Sequence, residues 1–158
     1  MLLGSRISAF AGRAKRKVIA HQKFYFFDAG VYRSLRSTGP LDSQEEIDGA
    51  TLETLFLQSL SAINDYYNLN YKIYFWRTTE GSEVDFVIYG PKGFHAFEIK
   101  RSSGVTSKSL KGLKQFGEEY PEARLSLIFL GKQKEYHDKI TAFPLVKALK
   151  LLPELISY

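Results

Sequence analysis

The stretch Gly81-Ser-Glu83-Val-Asp85-Phe-Val-Ile-Tyr89, then Gly90-Pro91-Lys92-Gly93, then Phe94-His-Ala-Phe-Glu98-Ile-Lys100 decides how this chain folds. Residues 83–89 alternate Glu83, Asp85, Val87 and Tyr89 against Val84, Phe86 and Ile88, the two-residue period of a strand. Residues 94–100 alternate again, with Phe94, Ala96, Glu98 and Lys100 against His95, Phe97 and Ile99. Between them a proline fixes φ and two glycines tolerate positive φ, which is turn chemistry. A four-residue loop makes Tyr89 and Phe94 the closing pair of a hairpin. Counting outward places Asp85 opposite Glu98 and Glu83 opposite Lys100, all on one face, at roughly 4.5–5.5 Å between directly opposed residues. Two unpaired carboxylates so placed repel each other, and a divalent cation between them is a natural compensation. A slip of one residue would send the acids to opposite faces.

Length and composition frame this hairpin. The 158 residues suit one domain, and 44% hydrophobic with 15% aromatic content supports a sizeable core. The chain has no cysteine, which excludes disulfides and thiolate zinc sites and fits a reducing cytoplasm. No apolar run approaches the roughly 20 residues needed to span a bilayer. The net charge of +5 is uneven. Arg6, Arg13, Lys15, Arg16, Lys17 and Lys23 crowd the first 27 residues without an acid, and Lys92, Lys100, Arg101, Lys108, Lys111 and Lys114 face only Glu98 within 92–114. Asp42, Glu45, Glu46, Asp48 and Glu53 form an acidic counterpart. Basic stretches beside a carboxylate site suit a polyanion, because Lys and Arg neutralise phosphates while the acids hold a metal. A solvated surface on a mildly basic protein is the competing explanation.

Outward from the hairpin, residues 1–22 read as a basic extension or linker and 23–158 as a single domain with its core at about 50–130. Lys23 to Asp28 reads as a short aromatic strand belonging to the core, and Asp28 is placed to cap a brief helix at 29–36. Residues 36–48 read as a polar loop. From about 50 to 67, Leu52, Leu55, Phe56, Ile63 and Tyr67 recur at helical spacing. A strand follows at 71–77, then the hairpin, then a serine-capped helix at 107–119 with apolar Leu110, Leu113 and Phe116. Residues 124–130 form a continuously apolar strand, hence one covered on both faces, and 143–152 a closing helix. The three strands make an antiparallel meander, and the helix at 107–119 is long enough to return a fourth strand in parallel. The expected class is α/β: a mixed sheet flanked by helices.

Asp85, twelve residues, then Glu98-Ile-Lys100 resembles the D…E-x-K signature of the PD-(D/E)XK, or restriction-endonuclease-like, nuclease superfamily. The helix–three strands–helix–strand order is similar to that superfamily's α-β-β-β-α-β core. More narrowly, Lys23-Phe-Tyr-Phe-Phe-Asp28-Ala-Gly30-Val31, Gly49-Ala-Thr-Leu-Glu53, Trp76-Arg77, Glu83-Val-Asp85-Phe-Val-Ile and Phe97-Glu98-Ile-Lys100 resemble the domain of unknown function that follows an AAA-type ATPase module in many bacterial and archaeal proteins. The resemblance covers about residues 23–130. It implies metal binding by Asp85 and Glu98, with Glu53 as the supplementary acid, and Mg²⁺ or Mn²⁺ as cofactor. It implies that Lys100 orients the attacking water or steadies phosphate charge. Arg101, Lys108, Lys111 and Gln115 are the expected nucleic-acid contacts, and DNA the expected partner.

The chain departs from the pattern in places. Val84, not proline, precedes Asp85, and Gln115 and Tyr120 are five residues apart, so only Gln115 matches the helical pair of related helicase-associated nucleases. No G-x-x-x-x-G-K-[ST] loop occurs, so the chain reads as a part detached from its ATPase module or as a stand-alone relative. Glu83 is expected to pair with Lys100 across the hairpin, and His95 to be a satisfied core histidine. Two functions stay open: a Mg²⁺-dependent phosphodiesterase acting on DNA, and a non-catalytic nuclease-like domain that binds DNA or a partner for an ATPase.

Overall fold

The structure is a computed structural model that describes residues 4–12, 21–35, 39–41 and 43–157. Its elements run β1 (Gly4–Ala9), β2 (Lys23–Phe26), α1 (Ala29–Leu35), α2 (Gln44–Tyr66), β3 (Lys72–Arg77), β4 (Glu83–Gly90), β5 (Gly93–Ile99), α3 (Ser107–Glu119), β6 (Arg124–Phe129), β7 (Glu135–His137), β8 (Ile140–Pro144) and α4 (Leu145–Ser157). The strands form one mixed eight-stranded sheet in the order β2-β1-β3-β4-β5-β6-β8-β7. The order α2-β3-β4-β5-α3-β6 is the one read from the sequence, with β3, β4 and β5 an antiparallel meander and β6 parallel to β5.

Two apolar layers cover the sheet. On one face, Phe56, Leu57 and Leu60 of α2 and Ala148, Leu152 and Ile156 of α4 pack on Phe75, Phe86, Ile88, Phe97 and Ile99. On the other, Leu110, Leu113 and Phe116 of α3 pack on Trp76, Val84, Val87, Ala96, Leu125 and Leu127. Helix caps explain where these helices begin. The Ser43 hydroxyl accepts the Glu46 amide, so α2 starts at Gln44, six residues before the expected start, and Glu45 and Glu46 suit the positive end of its dipole. Thr106, rather than a serine, caps α3, and it exchanges bonds with Ser109 in a capping box. Packing on β4 depends on a missing side chain: a Cβ at Gly112 would stand 1.9 Å from the Glu83 carbonyl oxygen.

The N-terminal expectation requires correction. Part of the presumed extension over 1–22 is strand β1, which lies between β2 and β3, antiparallel to one and parallel to the other. Its alternation is easily mistaken for a polar linker, since Ser5 and Arg6 are exposed and Ile7 alone among them is buried. Arg13, Lys15, Arg16 and Lys17 lie outside the described residues. The aromatic strand is only partly core: Tyr25 is buried, whereas Phe24 and Phe27 are exposed because β2 is an edge strand. Strands β7 and β8 are additional to the expected elements, and Phe143 and Pro144, expected to open the closing helix, end β8 instead, so that α4 runs from Leu145 to Ser157. Among the described residues no helix is long and apolar enough to cross a membrane.

Candidate functional site at the hairpin fork

The β4–β5 ladder pairs Gly90 with Gly93, Tyr89 with Phe94, Ile88 with His95, Val87 with Ala96 and Phe86 with Phe97. This is the register counted from the sequence, and its next step faces Asp85 with Glu98. There the backbone ladder stops and side chains replace it. The Asp85 amide donates to Glu98 Oε2 at 3.2 Å, and the Ile99 amide donates to Asp85 Oδ2 at 2.8 Å. Each carboxylate thus caps the strand that carries the other, and the hairpin opens into a fork.

A bulge shapes the fork. The β3–β4 register shifts between Tyr74 and Trp76, the former opposite Val87 and the latter opposite Val84. In consequence Val84 and Val87 share the α3 face, while Phe86 and Ile88 share the α2 face. The extra residue falls at Asp85–Phe86, as bulges do where a strand re-aims a side chain. Regular alternation across Glu83, Asp85 and Val87 is therefore lost. Glu83 lines a cleft with Glu98 and Lys100, but its partner is Arg77, which lies opposite it across β3–β4. That arginine donates to Glu83 Oε2 from Nε at 2.9 Å and Nη2 at 2.5 Å. Glu83 is accordingly Arg77's partner rather than that of Lys100, and the guanidinium bond holds its pKa below the ordinary value against the opposing effect of burial.

Glu98 and Lys100 stay together. With Ala96 toward α3 and Phe97 and Ile99 toward α2, alternation places both on the α3 side. Lys100 Nζ lies 2.6 Å from Glu98 Oε1, and the Lys100 amide is tied to the Ile128 carbonyl at 2.8 Å. Asp85 and Glu98 are each only 3% exposed. Burial pushes Glu98 up to about 7 despite the neighbouring ammonium. Asp85 is pushed well above its ordinary range by burial first, then by the charges of Glu98 and Glu53. Burial opposes the charge on Lys100, but Glu98, Asp85 and Glu83 outweigh it and raise its pKa.

Glu53 reaches the site from α2. It is half-buried, and Tyr25 donates its hydroxyl to Glu53 Oε2 at 3.0 Å. Burial raises its pKa, with Lys23 and the Tyr25 bond working against the shift. Glu53, Lys23 and Tyr25 line a cleft of about 280 Å³ between β2 and α2. A different cleft, of about 480 Å³, is lined by Glu98 and Lys100 at the start of α3. One cleft thus adjoins Glu53 on the α2 side, and the other adjoins Glu98 and Lys100 at α3.

The expected nucleic-acid contacts separate as well. Lys108 and Lys111 line the cleft that holds Glu98 and Lys100. Arg101 is drawn instead to Asp48 of α2, at 3.3 Å. Gln115 is half-buried, its Oε1 has no partner among the described residues, and it does not line that cleft. His95 is a core residue as expected: 3% exposed, parallel to Phe97 at 6.1 Å, with burial lowering its pKa to about 4. Sequence reading missed Tyr25 and Arg77 as supports of Glu53 and Glu83. Alternation within 23–27 was the available signal for Tyr25, obscured there by four consecutive aromatics.

An oxygen-only donor set of carboxylates is the chemistry Mg²⁺ or Mn²⁺ takes, and Mg²⁺ is commonly held by one or two carboxylates with several waters. Asp85 Oδ2 and Glu98 Oε2 are engaged by amides, and Asp85 Oδ1 and Glu98 Oε1 complete the donor set, the latter now facing an ammonium. Buried acids held above their usual pKa are the electrostatic condition that a bound cation relieves. The chemistry of these oxygens suits such an ion, but among the described residues no group of three or more acid or histidine side chains is arranged to hold one.

A sequence model of the family described as Domain of unknown function (DUF4143) matches residues 48–148. The match runs from the first turns of α2 to α4 and includes the whole fork. No curated protein matches the chain.

Proposed function

The chain belongs to the family described as Domain of unknown function (DUF4143), and from that premise we propose that it is a metal-dependent DNA nuclease of the PD-(D/E)XK type. The observation that carries this reading is the fork: Asp85 and Glu98 interlocked through each other's strands, with Lys100 Nζ 2.6 Å from Glu98. Asp85 and Glu98 are the residues assigned to hold Mg²⁺ or Mn²⁺, with Glu53 as a supplementary acid. A bound ion would polarise the scissile phosphate and lower the pKa of the attacking water.

The chain's own residues prepare the site. The Ile99 amide fixes the carboxylate of Asp85, and the Asp85 amide fixes that of Glu98, so neither needs reorientation when the site is used. Lys100 bonds Glu98 and belongs to the cleft through which a phosphate would arrive, where its ammonium orients water or steadies phosphate charge. Arg77 occupies Glu83, which keeps that acid from competing for Lys100. Tyr25 holds Glu53 from the α2 side.

The test is cleavage of linear, circular and single-stranded DNA with Mg²⁺ or Mn²⁺, against EDTA. Asp85→Asn and Lys100→Ala should each abolish it. Cleavage that survives Asp85→Asn, or no cleavage of any of these DNAs with either metal, would sink the reading.

One observation favours a second reading: both carboxylates are almost fully buried and already bonded to backbone amides. On that reading the domain is non-catalytic and binds DNA, or a partner such as an AAA-type ATPase module, with the same fold. DNA binding without cleavage, indifferent to EDTA and to Asp85→Asn, is its signature.

A further inference from the structure

The cleft lined by Glu98 and Lys100 contains a polar group with no use in the interlocked fork. Ser82 stands in the β3–β4 turn, which is closed by Thr78 and Ser82 exchanging backbone and hydroxyl bonds and by Gly81 at φ 88°. The residue is 5% exposed, and its Oγ has no hydrogen-bond partner among the described residues. A buried hydroxyl without a partner is uncommon and calls for a physical explanation. Ser82 lines the same cleft as Lys100, Lys108, Lys111 and Ser102.

Three further features converge there. Helix α3 begins at this cleft, and its first-turn amides lack partners within the helix except where the capping box supplies them. That end of the helix carries positive dipole and no acid in its first turn. Lys108 and Lys111 are exposed, one helical turn apart and on the cleft. The acids of the cleft are already matched, Glu83 by Arg77 and Glu98 by Lys100. The cleft therefore presents a hydroxyl without a partner among the described residues, two exposed ammoniums and a helix start, a donor set for a tetrahedral oxyanion.

We propose that this cleft is a phosphate subsite that seats a backbone phosphate of the nucleic acid next to the one at Lys100, with Ser82 Oγ, Lys108, Lys111 and the first turn of α3 as its donors. The inference rests on the nuclease reading for its substrate class, and it adds that nucleic acid enters from the α3 layer and not from the Glu53 cleft. Because Ser82 is buried, its hydroxyl contributes selectivity for a fitted phosphate, while the lysines contribute salt-dependent affinity.

The test is equilibrium binding of fluorescein-labelled 20-mer DNA, single-stranded and duplex, in EDTA across a salt series. Ends with and without a 5′-phosphate separate an internal phosphate from a terminal one. Lys108→Glu and Lys111→Glu should each weaken binding roughly tenfold and lower the salt slope by about one. Ser82→Ala should weaken it about three- to tenfold at unchanged slope, with Ser82→Thr restoring it. Lys150→Glu on α4, in the opposite layer, should change little. Equal losses for Lys150→Glu and the α3 variants, no loss in Ser82→Ala, or no DNA binding at all would overturn the subsite. A preference confined to 5′-phosphorylated ends would overturn the internal-phosphate assignment. The nuclease reading fails separately: if wild-type protein cleaves nothing while Ser82→Ala still weakens binding, the subsite stands alone, and if Asp85→Asn abolishes cleavage while Ser82→Ala binds normally, only the subsite falls.

Discussion

Asp85 gives its backbone amide to the side chain of Glu98, the residue it faces, at 3.2 Å, and its own carboxylate takes the amide that follows Glu98, at 2.8 Å. The two acids are therefore parts of the sheet as well as of the site. At each of these positions a carboxamide and an alanine should behave differently.

Asp85→Asn retains an acceptor for the Ile99 amide and removes a buried charge that Glu98 and Glu53 oppose. It should leave the metal-free protein at neutral pH as stable as the parent or more so. Asp85→Ala strands a buried amide, at a cost of about 1–3 kcal/mol. Urea denaturation at pH 8 distinguishes them, and equal midpoints for the two variants would contradict the interlocked arrangement.

The acids also fix how stability depends on pH. Glu98 has its pKa raised from 4.5 to about 7, so in the window between these values the folded state binds the extra proton. Its contribution is fully present below about 4.5 and is lost as pH rises through about 7. A divalent ion that binds the ionised acids should therefore stabilise the protein at pH 8 and scarcely at pH 5. At ten times its dissociation constant the gain is about 1.4 kcal/mol. Thermal melts with Mn²⁺ or Mg²⁺ at both pH values provide the check; an equal shift at pH 5 would point to a different binding site.

His95 has the opposite dependence. Burial lowers its pKa from 6.5 to about 4, so the unfolded chain binds the extra proton between those values. Stability from the neutral ring is complete above about 6.5 and declines as pH falls through about 4, by on the order of 3 kcal/mol. His95→Phe should flatten this acid limb while leaving the alkaline one in place. Acid-limb urea midpoints unchanged by the substitution would remove His95 as the cause.

Gly112→Ala would drive a methyl group into the Glu83 carbonyl, which is backbone and has little room to yield. Destabilisation of about 1–3 kcal/mol is expected from overpacking of this kind. Gly104→Ala, where a Cβ meets nothing within 4 Å, should be close to neutral. Comparable losses in both variants would mean that α3 is not seated on β4 through Gly112.

The hairpin register was legible because two constraints agree on it: period-two alternation in both strands, and a Gly90–Gly93 loop of fixed length. The bulge at Asp85–Phe86 was not, since it arises from how β3 pairs with β4, and nothing within 83–89 announces an extra residue. That one residue explains why Glu83 meets Arg77 instead of Lys100. Glu53 was nominated by the family resemblance alone, and its tie to Tyr25 required knowing that β2 lies alongside its helix. Strand β1 was hidden by exposed Ser5 and Arg6, which a strand near the sheet edge tolerates and a linker also displays. The bounds of helix α3 were readable from its apolar spacing at Leu110, Leu113 and Phe116, although the cap proved to be Thr106 and not a serine.

The place where the hydrogen-bond ladder gives way to carboxylates has an experimental consequence. Past Phe86 and Phe97 the two strands are joined by the same oxygen atoms assigned to the chemistry, so a substitution there changes the architecture and the reactivity together. Truncation at Asp85 or Glu98 would report both losses as one. Only isosteric amides, read alongside a folding measurement on the same sample, assign a lost activity to a missing charge and not to a hairpin that has come apart.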